Sequence, residues 1–380
     1  MSTPDDLTKT VKQNPIPDIT PLFEQSTDSA GTVASTPEIA ALSASLSNQT
    51  NEMFIVGRYR LLNEIGRGGM GVIFAAKDIT LNRDVAVKLL QDRFHATSEV
   101  AKRFVEEAKI TGQLQHPGIA PVHDLGETAN GRPFLAMKLI KGQTLSKLLE
   151  ENHQQLNPSI TEPPKIDNLI KIYFEIAQTV AYAHSKGVIH RDLKPANVMV
   201  GAFGEVQVMD WGLAKLLKTN NKISDVDHQT NHENSKPEID IERSPDSATI
   251  AGSIMGTPAY MPPEQAKGEN DKIDARSDVF SLGAILCEIL TGQPPYTGNY
   301  QEIRAKSVAG EIQPAVERIM QSKADQELTQ LAIQCLNTDR SARPEDASEI
   351  VSILNRYRHS ATERLRLAEN EKAAANIRIA

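Results

Sequence analysis

Cysteine is almost absent from this chain of 380 residues, which holds only Cys287 and Cys335. Two thiols build no disulfide framework, and both sit in apolar helical patterns, so they read as buried groups in a reducing compartment. Long apolar runs are missing too, as is a basic-then-apolar leader at the amino terminus. A cytoplasmic chain without a membrane span is therefore expected. Basic residues are outnumbered, 41 Lys and Arg against 49 Asp and Glu, giving a formal charge of −8. That balance argues against nucleic acid as a partner. The nine histidines are scattered and join no cysteine cluster, which removes a zinc site from consideration. What is present, 39% hydrophobic and 24% charged residues, describes an ordinary globular chain able to bury a substantial core.

Residues 1 to about 50 are rich in Ser, Thr, Pro, Asn and Asp, without sustained periodicity. They bury too little apolar surface to offset the entropy of ordering, so 1–54 is expected to be a disordered segment. From 55 to about 140 the pattern is mainly of strands: Tyr59-Arg60-Leu61-Leu62, a glycine cluster, Val72 to Ala76, a turn at Leu81–Asp84, then Val85-Ala86-Val87-Lys88. One helix is predicted over about 98–114, then strands around Ala129-Asn130-Gly131 that end at Ile140. From 141 to 358 helices dominate. One spans 167–186 and stops at Gly187; another, from Asp278 to Leu290, is apolar nearly all round and so is central. Val198–Val200 and Val206–Met209 read as a hairpin. Polar inserts interrupt near 154–165 and 218–248, the second expected to be mobile. The charged end, 359–380, reads as a solvated helix, with self-association into a homodimer as its second reading.

Gly66-Arg67-Gly68-Gly69-Met70-Gly71 has the G-x-G-x-x-G spacing, which lets backbone N–H groups approach phosphate oxygens. Dinucleotide-binding folds share the spacing but continue into a helix. Here Val72-Ile73-Phe74 continue as a strand, so a phosphate-covering flap on a hairpin fits better; a glycine-rich turn without a ligand is the plain alternative. Lys88 ends a strand. On the 98–114 helix, Glu107 falls on the apolar stripe of Val100, Phe104 and Leu114, where a carboxylate needs a cation, and Lys88 is the natural one. His190-Arg191-Asp192-Leu193-Lys194-Pro195-Ala196-Asn197 places a carboxylate, a cation and an amide on one loop. The following hairpin returns to Asp210-Trp211-Gly212, which brings Asn197 and Asp210 together as hard oxygen ligands suited to magnesium shared with phosphates.

These motifs, in this order from Tyr59 to about Tyr357, resemble the protein-kinase superfamily, and most of all the bacterial Hanks-type serine/threonine kinases. The resemblance implies an α+β bilobal fold: a small antiparallel β-sheet lobe with one regulatory helix, and a larger, mainly helical lobe. It implies ATP with Mg2+, or Mn2+ in its place, and transfer of the γ-phosphoryl group to Ser/Thr hydroxyls of proteins. Gly66, Arg67, Gly68, Gly69, Met70 and Gly71 would cover the phosphates, and Lys88, kept in place by Glu107, would hold two of them. Met137 resembles the gatekeeper, and Lys138, Leu139 and Ile140 the adenine-binding hinge. Ile73, Ala86, Leu139 and Met199 would sandwich the base. Asp192 would take the proton of the attacking hydroxyl, Lys194 would neutralise the moving phosphoryl group, and Asn197 and Asp210 would bind the metal. The Thr257 hydroxyl would bridge Asp192 and Lys194, a mark of the serine/threonine branch. Glu264 in Pro262-Pro263-Glu264 would pair with Arg343. Asp278 would brace the catalytic loop, a simple helix cap being its alternative.

The chain departs from the family pattern at Trp211 for Phe, Pro263 for Ala and Lys138 for an acidic hinge residue. None of these removes a group that touches chemistry. Arg191 before Asp192 implies a response to activation-segment phosphorylation, with autophosphorylation at Ser247, Thr249 or Ser253 and Thr249 first among them. A nucleotide-binding pseudokinase scaffold would lack one of Lys88, Asp192, Asn197 and Asp210; all are present. A small-molecule phosphotransferase would lack the Gly256–Glu264 element and its Arg343 partner.

Overall fold

The computed structural model describes residues 55–95, 98–154, 166–216 and 256–379. The expected disordered segment, nearly all of both inserts, and Ser247, Thr249 and Ser253 lie outside the described residues.

Alternating apolar residues build a six-stranded antiparallel sheet. Its strands are β1 (Ile55–Val56), β2 (Tyr59–Arg67), β3 (Gly71–Asp78), β4 (Arg83–Leu90), β5 (Val122–Glu127) and β6 (Pro133–Lys138), in the order β1-β2-β3-β4-β6-β5. In β4 the two-residue period separates two cores. Val85, Val87 and Leu89 join Tyr59, Ala76 and Phe134 on one face, while Ala86 and Leu90 face α1 (Glu99–Gln113) with Leu135 and Met137. Lys88 is in phase with Ala86 and Leu90, so it too points toward α1. That helix starts at Ser98, whose hydroxyl accepts the Ala101 N–H at 3.2 Å. Its inner stripe is Ala101, Phe104, Glu107, Ala108 and Ile110.

The turn after β3 comes two residues earlier than expected. Arg83 and Asp84 already pair with Asp78 and Lys77, because buried Asp78 closes the turn by accepting the N–H groups of Thr80 and Leu81. Strand β6 likewise ends at Lys138, not Ile140.

The helical part follows as β7 (Gly142–Thr144), α2 (Leu145–Gln154), α3 (Ile166–Ser185), β8 (Val188–Ile189), β9 (Val198–Gly201), β10 (Val206–Val208) and β11 (Lys215–Leu216), then α4 (Pro263–Ala266), α5 (Ala275–Thr291), α6 (Tyr300–Ala309), α7 (Gln313–Gln321), α8 (Gln326–Cys335) and α9 (Ala347–Ile379). Helix α3 ends at Ser185, and Gly187 just beyond it has the φ of 73° expected of a left-handed stop. Every residue of α5 from Ser277 to Cys287 is buried. The larger core gathers around α3 and α5, with Ile350, Leu354 and Tyr357 of α9 against it, and the charged carboxy-terminal stretch prolongs that helix unbroken to Ile379. Strands β10, β9 and β7 form a small sheet, and β8 pairs with β11. Among the described residues no helix is long and apolar enough to cross a membrane. The molecule is thus α+β, with a sheet-rich part preceding a helical one.

Candidate active site

The loop between β8 and β9 is held from below by α5. Buried Asp278 accepts the His190 N–H at 2.7 Å and the Arg191 N–H at 2.8 Å, and its second contact on Oδ2 is His184 Nε2 at 3.0 Å. The helix cap is Asp274 instead, so Asp278 is a brace and not a cap. Burial works most strongly against the Asp278 charge, yet the His184 hydrogen bond, the neighbouring His184 and His190 rings and the loop N–H donors outweigh it. The carboxyl pKa lies below its ordinary value. These bonds hold Arg191 at φ 70°, a left-handed conformation costly for a residue with a side chain. Gln265 secures the same turn by donating to the Arg191 carbonyl at 2.6 Å.

Asp192 follows that turn and is surrounded by donors. Lys194 Nζ reaches Oδ2 at 2.7 Å, Asn197 Nδ2 reaches the same oxygen at 3.2 Å, and the Thr257 N–H reaches Oδ1 at 3.0 Å. Lys194 also donates to Thr257 Oγ1 at 2.7 Å. The expected bridge therefore exists with one change: Thr257 meets Asp192 through its backbone N–H, while its hydroxyl serves Lys194, because Oδ2 is already occupied by Lys194 and Asn197. Gly256 stands beside them at φ 117°, where a Cβ would lie 3.3 Å from Asp192 Oδ1.

Asp192 N–H donates to His190 Nδ1, which fixes the Nε2–H tautomer that donates to the Met209 carbonyl at 3.0 Å. Strands β9 and β10 pair Val198 with Val208, and Met209 N–H donates to the Asn197 carbonyl at 2.8 Å. Asn197 and Asp210 thus sit at one end of the hairpin. Asp210 adopts φ 61°, and a Cβ on Gly212 would meet Glu107 Oε2 at 2.9 Å and Asp210 Oδ1 at 3.2 Å, so a side chain there would press on both carboxylates. The Asn197 amide nitrogen is committed to Asp192, which leaves its oxygen for a cation. Among the described residues no group of three His, Cys, Asp or Glu could hold a metal alone. Two hard oxygens suit a divalent cation that phosphates and water also ligate.

Across the crevice Lys88 Nζ lies 2.6 Å from Glu107 Oε1 and 3.5 Å from Asp210 Oδ1. Burial works against the ammonium charge, but Glu107 and Asp210 outweigh it and hold its pKa above the ordinary value. Above it, Gly68 N–H donates to the Gly71 carbonyl at 2.9 Å, and Gly71 packs on Leu89 and Lys88, where a Cβ would come within 3.1 Å of the Leu89 carbonyl. The Arg67 side chain is committed to Glu64, so only its backbone belongs to this loop. Ile73, Ala86, Met137 and Leu139 meet in one apolar cluster. Met199 is placed outside it, on β9 opposite Gln207. The Lys138 N–H is taken by the Pro121 carbonyl at 3.1 Å, so Lys138 can offer an adenine only its carbonyl.

A comparison with family models matches residues 59–354 to the protein kinase domain. The chain belongs to the protein kinase family. Among its relatives are serine/threonine-protein kinase PknD of Protochlamydia amoebophila, 33% identical over 79% of this chain and 30% of that protein, and serine/threonine-protein kinase PknB of Mycobacterium tuberculosis, 35% identical over 67% of this chain and 37% of that protein. The chain spans about a third of the length of the curated relatives it matches. The resemblance to bacterial Hanks-type kinases drawn from the motifs stands.

The departures from the kinase pattern acquire structural reasons. Trp211 is buried, its ring centroid lies 4.6 Å from that of His190, and its indole N–H donates to the Val208 carbonyl at 3.2 Å, a bond phenylalanine cannot make. Pro263 opens α4, where the missing N–H costs nothing. Glu264 forms a buried two-pronged pair with Arg343, at 2.7 and 3.1 Å, and takes a third bond from Ser277. Sequence reading missed Met209, which packs on the apolar cluster of Ile73 and Ala86, Gln265, which donates to the loop directly, and His184, which holds it through Asp278. For Met209 the signal was its place before Asp210; Gln265 lies on the distant α4, and His184, at the end of α3 just before the loop, reaches it only through Asp278 of α5.

Proposed function

We propose that this chain is an ATP-dependent protein kinase that transfers the γ-phosphoryl group of ATP to serine and threonine hydroxyls of proteins. The reading is carried by one observation: Lys194 donates at 2.7 Å both to Asp192 Oδ2 and to Thr257 Oγ1, setting a carboxylate, an ammonium and a backbone-held threonine around one point. In this reading Asp192 receives the proton of the incoming hydroxyl and Lys194 balances charge on the transferring group. Lys88, anchored by Glu107, holds the phosphates already in place. Asn197 and Asp210 are the residues that would hold Mg2+, and a bound ion supplies neutralisation of charge on the β- and γ-phosphates. Ile73, Ala86, Met137 and Leu139 receive the adenine. The protein has little covalent work to do, so positioning and charge account for the rate. The unpaired buried thiols and the dependence on ATP support a cytoplasmic place for this part of the protein.

The test is direct. The purified chain is incubated with radiolabelled ATP, Mg2+ and a basic test protein, followed by phosphosite mapping. Label on serine and threonine is expected, on the test protein and on the segment that carries Ser247, Thr249 and Ser253. No transfer by the wild-type chain, or undiminished transfer by Lys88→Met, would overturn the reading.

A further inference from the structure

The glycine loop is held from one side by a segment that no motif singles out. Gly68 O accepts from Gln91 Nε2 at 2.5 Å, and Gly69 O accepts from Arg93 Nη2 at 2.8 Å. The adjoining Met70 O accepts the Gln91 backbone N–H at 3.0 Å. The segment is itself anchored. Arg132, just before β6, donates to the Leu90 carbonyl and pairs with Asp92, and the Arg93 guanidinium lies 4.8 Å from the ring centre of Phe94, which packs on the cluster beneath α1.

The strand period fixes the direction of this hold. Gln91 continues the phase of Val87 and Leu89, opposite to Lys88, so its side chain reaches the loop from the face away from the crevice. A trans peptide points its C=O and the next N–H in opposite directions, and the described chain has no cis bond. Drawing the Gly68 carbonyl to the outer face therefore turns the Gly69 N–H toward the Lys88 side, where phosphate would lie, and the Arg93 bond to the Gly69 carbonyl fixes the next peptide, which carries the Met70 N–H. A loop with four glycines in six residues has many other backbone states, and a phosphate would otherwise have to order it.

We propose that Gln91 and Arg93 are positioning residues that pre-set the phosphate-facing amides of Gly69 and Met70. The proposal rests on the reading of the chain as an ATP-dependent kinase, and its ligand is the phosphate chain of the nucleotide, not the base.

The full chain and its Gln91→Ala and Arg93→Ala variants are titrated with Mg-ATP and with adenosine, and KM and kcat are measured with ATP. Each variant loses about three- to tenfold in ATP affinity, the worth of one hydrogen bond, while adenosine affinity holds within about twofold. KM for ATP rises more than kcat falls, a split that a loss of general stability does not produce. Gln91 carries no charge, so its variant separates geometry from electrostatics, and Arg93→Lys restores part of the Arg93→Ala loss. Should an alanine variant not fold, Gln91→Met removes the donor at near-constant volume without adding charge and reads the same split. Equal losses for ATP and adenosine, or none for either, overturn the proposal. A wild-type chain that binds ATP but transfers no phosphate overturns the kinase reading alone, and the ATP-to-adenosine split still decides the role of Gln91 and Arg93. A chain that binds neither overturns both.

Discussion

Asp192 and Thr257 show how much a single contact decides. Asp192 is oriented by three donors, and in the proposed reading removing its carboxylate takes away the base that accepts the hydroxyl proton. Asp192→Ala is expected to lower kcat by roughly 100- to 10,000-fold with little change in ATP affinity, measured by steady-state phosphorylation and nucleotide titration. Thr257 offers a finer test. Its backbone N–H holds Asp192 whatever the side chain, so Thr257→Ala loses only the hydroxyl contact to Lys194. Losing a hydrogen bond to a charged group predicts roughly a ten- to hundredfold fall in kcat, with Thr257→Ser restoring most of it. A serine variant as slow as alanine would show that the methyl group, not the hydroxyl, is what counts.

Helix α5 supports the catalytic loop through Asp278 alone among its carboxylates. The Asp278 pKa is depressed in the folded chain relative to its ordinary 3.8, so its contribution to stability is complete above that value and is lost as pH falls through the folded pKa. Melting temperature should therefore drop on acidification below about pH 4, and Asp278→Asn should flatten part of that drop. At pH 7 the same variant should be less stable by about 1–3 kcal/mol, since the His190 and Arg191 N–H groups then share one weaker acceptor. Urea denaturation at both pH values checks the sign as well as the size. Identical pH profiles for the two proteins would assign the acid sensitivity to other groups.

On the scale of the whole molecule, the sheet-rich part is pinned to the helical part by the loop after α1. His116 stacks on Tyr182 at 5.1 Å, the Gln115 N–H donates to the Tyr182 hydroxyl, the Gly118 carbonyl accepts the Val208 N–H at 2.8 Å, and Gln207 reaches the Pro117 carbonyl. Gly118 sits so close to buried Thr179 that an added Cβ would overlap its hydroxyl and lie 3.0 Å from its Cβ. Gly118→Ala is expected to cost about 1–3 kcal/mol in thermal or urea unfolding, as overpacking does. Adding Thr179→Ala should recover part of that loss, because the two substitutions share one space and are not additive. Purely additive losses would place the strain elsewhere.

Short-range chemistry was legible in the chain itself. The strand alternation around Lys88, the apolar stripe that includes Glu107, the turn at Gly187 and the loop from His190 to Asn197 each depend on residues near one another, and local periodicity determines them. The paired strands that bring Asn197 to Asp210 were readable for the same reason. Only the tertiary structure decided which side chains from remote segments complete the site: Gln91 and Arg93 behind the glycine loop, Gln265 and the His184–Asp278 contact beneath the catalytic loop, Gly118 against Thr179. It also decided that Thr257 meets Asp192 by its backbone. Such contacts depend on the packing of whole elements in three dimensions, and no spacing along the chain encodes a distance between residues that only folding brings together.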